Sequence, residues 1–322
     1  MDQDHLTFLA QIAAWYYEEN LPQNEIAQRI GRSRSMVSRL LQEARDQGLV
    51  EIRVRHPMKR DASMEARLQE TFGLQQVRVL AQPPADYELM LQRLGALGAQ
   101  QLQEYLDDSM CVGLSWGTAV HAVVEAMPDT PLQNATVVQI IGALGYGDPM
   151  VDGPELARWL AQKLSASYRY LHAPLIVQDE ALARSLKQER SIAATLQRAG
   201  AVDVALVGIG SLDVATSSLQ RAGYLDESTL RALQARGARG DILARPIDAA
   251  GRPLDLDLAR RTIGLDLETL RAIPAVIAVA GGAAKAPAIL AALRGRYPDV
   301  LVTDATTATT VIEMEEEKYY AG

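Results

Sequence analysis

The chain has 322 residues, of which 48% are apolar and 22% are charged, and its formal net charge is −8 at pH 7. This composition is ordinary for a globular protein and excludes a uniformly basic nucleic-acid coat. The length exceeds what one hydrophobic core usually serves, so we expect two domains.

Cysteine content and hydropathy narrow the class of protein further. Cys111 is the single cysteine, which excludes an intramolecular disulfide and a multi-cysteine metal site, and we expect no metal and no other cofactor. The first residues carry no basic signal-peptide region, and no apolar run reaches about 18 residues. The sequence therefore predicts a cytoplasmic protein with no membrane partner.

The N-terminal part carries a local excess of positive charge. No acidic residue lies between Glu25 and Glu43, whereas four arginines do. A positive stripe on an otherwise acidic protein indicates one surface for a polyanion, although a solvated helix face is an alternative.

The spacing of apolar residues predicts three consecutive helices, over about 6–19, 23–30 and 33–46. Pro22 separates the first two, because it lacks an N–H and suits a first helical turn. Gly31 ends the second helix by adopting positive φ. Either Ser33 or Ser35 is suited to cap the third.

The third helix is expected to have an apolar inner face, which consists of Met36, Val37, Leu40, Leu41 and Ala44. Residues 50–55 alternate strictly and predict a strand, so the pattern is typical of a helix-turn-helix followed by a β-wing. Such a fold presents the N-terminal half of its third helix to a DNA major groove. Arginine and serine side chains bind phosphates or base edges there, and which arginine reads a base stays open. The predicted DNA-binding residues are Arg32, Ser33, Arg34, Ser35, Ser38 and Arg39.

These N-terminal motifs resemble a known family. The residues 16–27 (YYEENLPQNEIA), 33–50 (SRSMVSRLLQEARDQGLV) and Ile52 are similar to the DNA-binding domain of the SorC family of bacterial sugar-responsive transcription regulators. The resemblance implies that double-stranded operator DNA is a partner.

Beyond residue 56, short apolar runs alternate with amphipathic segments. We expect a winged helix-turn-helix domain over 1–56, a linker over 57–62 and an effector-binding and oligomerisation domain over 63–322. Strands are predicted at 76–80, 110–114, 136–141, 168–172, 204–209, 240–244, 275–280 and 300–302. Helices are predicted at about 86–106, 117–126, 153–164, 179–199, 226–235 and 285–294, and the acidic end from Glu313 is expected to be a frayed tail. This alternation predicts an α/β domain with a parallel, Rossmann-like sheet, in which ligands bind beyond the C-terminal strand ends.

Several of the predicted strand ends carry residues suited to a small polar ligand. Small and hydroxyl residues between a strand and a helix favour an anion, because free N–H groups and the helix dipole point at it. Lys285 opposes the dipole of its predicted helix unless an anion is bound, and Asp241 is poorly suited to a strand but accepts well from hydroxyls. The predicted effector-binding residues are Ser115, Trp116, Gly117, Thr118, Gly210, Asp241, Gly281, Gly282 and Lys285.

The same pieces resemble the effector domain of the SorC family, whose fold is similar to that of glucosamine-6-phosphate deaminase and ribose-5-phosphate isomerase. They are 113–117 (GLSWG), 208–210 (GIG), 240–242 (GDI) and 280–285 (AGGAAK). The resemblance implies a sugar or phosphosugar effector, contacted by Trp116, Gly117, Thr118 and Lys285, and a dimer or tetramer. Ala119 departs from the family, where a second hydroxyl is common, and it therefore offers one fewer donor to a phosphate.

The sequence features are therefore compatible with three functions. The first is a transcriptional regulator whose operator affinity is controlled by a sugar or phosphosugar. The second is a DNA-binding protein whose α/β domain is only an oligomerisation scaffold. The third is an isomerase- or deaminase-like enzyme, which is disfavoured because no carboxylate pair, nucleophile elbow or metal cluster is visible. We predict the regulator, with no catalytic residues.

Overall fold

The computed structural model describes residues 3–50, 58–145 and 149–321. The chain divides into two compact units, Met1–Pro57 and Met58–Gly322. The helices of the first unit are α1 (Gln3–Tyr17), α2 (Gln23–Arg29) and α3 (Arg34–Asp46).

The three helices of the first unit begin and end where local chemistry requires. Pro22 precedes α2, and Gly31 adopts a φ of +64° in the turn that follows it. Ser33, rather than Ser35, caps α3 by accepting a hydrogen bond from the Met36 backbone N–H. Apolar side chains of all three helices then form one core, which consists of Leu9, Ile12, Ala13, Ile26, Ala27, Val37, Leu40, Leu41 and Ala44.

Two expectations for this unit have different outcomes. The inward orientation predicted for Met36 is wrong, since its side chain is 39% exposed. The reason is angular: Val37, Leu40, Leu41 and Ala44 already fill the side of α3 that faces the core, and Met36 lies about 100° further round the helix from Val37. The predicted wing strand falls almost entirely on residues 51–57, which lie outside the described residues.

The second unit alternates strands and helices. Its helices are α4 (Ala62–Phe72), α5 (Tyr87–Gln103), α6 (Thr118–Ala126), α7 (Gly153–Lys163), α8 (Glu180–Gln188), α9 (Arg190–Ala199), α10 (Ser218–Arg221), α11 (Glu227–Ala235), α12 (Asp257–Arg261), α13 (Leu267–Arg271), α14 (Ala286–Arg294) and α15 (Ala305–Ala321). Its strands are β1 (Gln76–Leu80), β2 (Cys111–Leu114), β3 (Thr136–Gln139), β4 (Ser167–Arg169), β5 (Val204–Gly208), β6 (Gly210–Ser211), β7 (Ala238–Ile242), β8 (Arg245–Asp248), β9 (Ala275–Val279) and β10 (Val300–Asp304).

Seven of these strands form one parallel sheet in the order β1-β10-β9-β5-β2-β3-β4. Its central strands are apolar throughout, and two separate hydrophobic clusters cover it. The chain proceeds from β2 towards β4 in one direction and from β5 towards β10 in the other. The point where the order reverses therefore lies between β2 and β5, which is where ligands bind in open α/β sheets. The predicted α/β class with a parallel sheet is confirmed.

Three local predictions for this unit need correction. The strand predicted at 240–244 is β7, and it lies in a separate antiparallel sheet, β6-β7-β8. The single helix predicted at 179–199 is two helices, because Glu189 adopts extended backbone angles. The acidic end from Glu313 is part of α15 and not a frayed tail.

The physical reason for the helical end is that α15 packs on the domain. Val311 and Ile312 are each 1% exposed. Arg294 forms an ion pair with Glu315, and Arg67 forms one with Glu316. Among the described residues, no helix is long and apolar enough to cross a membrane.

Candidate DNA-binding helix and effector cavity

The six predicted DNA-binding residues are all exposed, at the start of α3 and in the turn before it. Arg32, Arg34 and Arg39 form no ion pair with any residue that the structure describes. By contrast, Arg29 lies 3.9 Å from Glu19 and stacks over a tryptophan ring, and Arg45 donates to the hydroxyl of a tyrosine. Arg32, Arg34 and Arg39 are therefore exposed cations without an acidic partner among the described residues, which suits a polyanion.

Most of the predicted effector-binding residues meet at one cavity. It lies where β2 and β5 end, and it is completed by the β6-β7-β8 sheet and by the turn before α14. The predicted residues that line it are Ser115, Trp116, Gly117, Thr118, Gly210, Asp241 and Lys285.

The segment after β2 brings a helix N-terminus to the cavity. Ser115 extends the sheet, since its N–H donates to the Leu206 carbonyl. Gly117 then adopts a φ of +119°, which side chains rarely tolerate, and it precedes the first turn of α6. Thr118 and Ala119 line the cavity, and their N–H groups belong to the first turn, where they have no acceptor within the helix. This arrangement can bind an anion.

Lys285 and Asp241 supply opposite charges to the same cavity, and both are buried. Burial and the charge of Arg221 together lower the pKa of Lys285 to about 8, against the opposing charge of Asp241. Burial raises the pKa of Asp241 to about 6, against the opposing charge of Lys285. The two groups form no direct ion pair, and the Lys285 Nζ donates to the Ile209 carbonyl at 3.3 Å. The Asp241 carboxylate accepts from the Ala244 backbone N–H. The cavity thus holds a buried cation and a buried carboxylate that do not pair with each other directly.

Gly210 has a steric reason to be glycine. A Cβ at this position would come within 2.1 Å of the Asp241 Oδ1 atom. The two residues also pair across β6 and β7. Gly210 therefore gives the Asp241 carboxylate its place at the cavity.

Gly281 and Gly282 do not line the cavity, although they were predicted with Lys285. The Gly282 N–H donates to the Asp304 carboxylate at 2.8 Å, and its φ is +94°. A Cβ at Gly281 would lie 2.7 Å from the same carboxylate. In the structure they form the turn that precedes Lys285.

Other cavity residues were missed by the sequence analysis. Leu243 and Ala244 form the turn between β7 and β8, with φ values of +52° and +55°. Such turns usually contain asparagine or glycine, so Leu-Ala gives no sequence signal. The strain belongs to a buried turn directly beside Asp241. The remaining unpredicted lining residues are Ala119, Gly208, Ile209, Ser218 and Leu219.

Arg221, at the end of α10, adds a second cation near the cavity. It donates to the Ser218 hydroxyl at 3.0 Å and forms no ion pair with any described residue. Its charge adds to burial in lowering the pKa of Lys285, and it opposes the burial that raises the pKa of Tyr87. The electrostatic field at this edge of the cavity is therefore positive.

The cavity is small in the observed state. Its volume is about 40 Å³, which is room for about one water molecule. A sugar enters only if a wall moves, and the walls include the short helix α10 as well as the loop at Trp116.

Comparisons with known proteins agree with this architecture. Residues 56–313 match the family model described as "Putative sugar-binding domain", and residues 10–47 match the helix-turn-helix model "Sigma-70, region 4". The chain is 32% identical over 312 residues to the deoxyribonucleoside regulator of Bacillus subtilis, covering 97% of this chain and 99% of that one. It is 30% identical over 314 residues to the sorbitol operon regulator of Klebsiella pneumoniae, with the same coverage.

A solved structure gives the same result. The crystal structure of the full-length sorbitol operon regulator SorC from Klebsiella pneumoniae superposes with a TM-score of 0.73 at 30% identity, covering 96% of this chain and 100% of that one. The fold, the helix-turn-helix and the sugar-binding domain together define a DNA-binding transcriptional regulator. The chain belongs to the SorC family of sugar-binding transcriptional regulators.

Proposed function

We propose that this regulator binds operator DNA through α3 and releases or engages it in response to a sugar or phosphosugar bound between β2 and β5. The observation that carries the proposal is the cavity in which buried Asp241 and Lys285 lie beside the α6 N-terminus. A carboxylate accepts hydrogen bonds from sugar hydroxyls, and a buried cation with free N–H groups binds an anion. Arg221 strengthens the case for a phosphate.

The DNA contacts proposed are those of Arg32, Ser33, Arg34, Ser35, Ser38 and Arg39. The arginines are exposed and unpaired within the described residues, and they precede or begin the helix that the core holds in place. Arginine binds guanine bidentately or a phosphate oxygen, and serine reaches either.

We expect Arg34→Ala and Arg39→Ala each to weaken duplex binding and to reduce its salt dependence. Each lost phosphate contact lowers the slope of log affinity against log salt by about 0.9. Fluorescence anisotropy with a duplex selected from a random pool, at several salt concentrations, measures this slope. Arg29→Ala is the matched control and should leave the slope unchanged, because Glu19 and Trp15 already engage that arginine. Unchanged slopes in both Arg34 and Arg39 variants would contradict the assignment.

We propose that the regulator is a cytoplasmic homo-oligomer, either a dimer or a tetramer. We also propose that it needs no cofactor. Paired helix-turn-helix modules must match two half-sites, so the separation of the modules sets affinity. An effector that binds one quaternary arrangement better shifts the population towards it and changes operator affinity by the same coupling. The small volume of the cavity fits such a mechanism, because an effector would stabilise a state with a displaced wall.

No catalytic turnover is proposed. The titratable groups that line the cavity are Asp241 and Lys285, and no histidine of the described residues joins them. The support for binding without turnover comes from the relatives, which are named as regulators. The bound effector should be recovered unchanged.

Thermal melting against a panel of sugars and phosphosugars tests the proposed function. A saturable rise of a few degrees with one phosphosugar, recovered unaltered by NMR, is the expected result. A rise in melting temperature with free sugars alone would support the proposed sensor function but contradict a phosphorylated effector. No rise across the panel would overturn the sensor in favour of an oligomerisation scaffold.

A further inference from the structure

A second and larger cavity lies next along the chain from the effector cavity. The turn residues Leu243 and Ala244 line the effector cavity, and the following residues Arg245 and Pro246 line the second one. Its volume is about 870 Å³, within the range of about 300–1,000 Å³ that is usual for small-molecule sites. Its apolar lining includes Leu196, Pro246, Pro253, Leu254, Leu265 and Leu267.

The inner part of this cavity holds an arginine with no acidic partner. The Arg245 guanidinium donates to three backbone carbonyls, those of Leu265 at 2.7 Å, Ala259 at 2.9 Å and Gly264 at 3.3 Å. Neutral carbonyls stabilise the guanidinium but leave its charge uncompensated. Burial lowers the pKa of Arg245, and the more distant Asp266 opposes this.

Lys187 brings a second cation to the same wall from α8. It is half-buried and makes no hydrogen bond or ion pair with any residue that the structure describes. Burial and the charge of Arg245 lower the pKa of Lys187, and Asp266 opposes them. Lys187 and Arg245 are thus two positive groups that line one cavity and repel each other, with Asp266 as a partial counter-charge, and a bound anion would relieve the repulsion.

The acidic groups of this cavity lie at its exposed rim. Asp255 is 82% exposed and lies 3.4 Å from Arg260. Asp266 is exposed and caps α13 by accepting from the Thr269 N–H. Glu268 is also exposed, in the first turn of α13. Solvent screens these exposed carboxylates, whereas Arg245 and Lys187 are partly buried, so the less exposed charges of the lining are positive.

We propose that this cavity is a second binding site, for an organic anion with an apolar body. Lys187 would meet the anionic group, and the leucine and proline side chains would pack against the body. Because Arg245 directly follows the strained Leu243–Ala244 turn, a ligand here contacts the same hairpin as the effector. The regulator would then respond to a second small molecule that binds at this site.

Titration of the full chain with 8-anilinonaphthalene-1-sulfonate, followed by its fluorescence, tests the site. This probe joins a sulfonate to an aromatic body. We expect saturable binding at one site per chain, weakened about tenfold in Lys187→Gln, because a charge-assisted contact is lost. Ala201→Trp should abolish the binding, since Ala201 lines the cavity and is exposed enough for the change to be tolerated in the fold.

Two controls separate this site from others. Arg184 lies on the same helix α8, but it is exposed and paired with Glu180. The Arg184→Gln variant should therefore bind the probe like the wild type. Lys285→Ala should also leave the affinity unchanged, which keeps this result independent of the proposed effector site. Equal affinity in the wild type, Lys187→Gln and Ala201→Trp would overturn the proposal, as would loss of the probe in Lys285→Ala. A change of oligomer size in Ala201→Trp, with no saturable probe binding in the wild type, would instead identify the cavity as a subunit interface.

Discussion

Replacing Lys285 by alanine should remove the response to the effector while leaving operator binding in its absence within about twofold of the wild type. Lys285 is the cation that directly lines the effector cavity, and it is buried. Loss of a charge-assisted contact to a phosphate costs about 1.5–3 kcal/mol, so effector affinity should fall at least about tenfold. Thermal shift and anisotropy of a bound duplex, each with and without effector, measure the two properties separately.

The pH dependence distinguishes a charge contact from a packing effect. The pKa of Lys285 is about 8, so the side chain is mostly protonated at pH 7 and loses its charge as pH rises through about 8. Effector affinity of the wild type should fall over that interval, whereas that of the alanine variant should not. Lys285→Met is the matched control for volume and should behave like alanine. A methionine variant that retains the full response would show that the ammonium group is not a ligand.

Replacing Asp241 by asparagine should stabilise the unliganded protein at pH 7 and weaken effector binding. Burial raises the Asp241 pKa from 3.8 to about 6, so the folded state disfavours the charged form that predominates at neutral pH. One pKa unit corresponds to about 1.4 kcal/mol, which places the expected gain at about 1–3 kcal/mol. Asparagine has nearly the same shape, so it still fits against Gly210. It is a poorer acceptor for sugar hydroxyls, so effector affinity should fall several-fold.

The sign of this effect depends on pH. A carboxyl with a raised folded pKa contributes stability that is fully present below pH 3.8 and is lost as pH rises through about 6. The advantage of the asparagine variant should therefore be absent near pH 4, grow towards pH 6 and level off above about pH 7. Urea unfolding at these pH values measures it. A variant less stable than the wild type at pH 7, or a difference independent of pH, would show that Asp241 is a structural acceptor rather than a strained binding group.

Such a trade of stability for function is expected at a ligand site. Asp241, Lys285 and the Leu243–Ala244 turn are each unfavourable in the absence of a ligand, and all three line the same small cavity. Their coincidence supports the proposed effector site more strongly than any one of them.

Local sequence chemistry was sufficient for the N-terminal unit and for the fold class. Proline, glycine and serine at helix ends act within a few residues, so Pro22, Gly31 and either Ser33 or Ser35 were predicted to mark boundaries of α2 and α3, and the structure selects Ser33. Apolar strands alternating with amphipathic helices predicted the parallel sheet, because only burial on both faces explains them. Met36 shows the limit, since its orientation depends on how much of the core its neighbours already fill.

The tertiary structure alone decided which residues meet. Strand order is set by packing between segments far apart in the chain, so the reversal between β2 and β5, and with it the position of the cavity, is not encoded in any local pattern. Burial likewise gives Asp241 and Lys285 their altered pKa values, and it holds Leu243 and Ala244 in a turn that their own side chains disfavour. The sequence named the residues with unusual chemistry, and the long-range packing of the sheet determined that Gly281 and Gly282 shape a turn while Asp241 and Lys285 share a cavity.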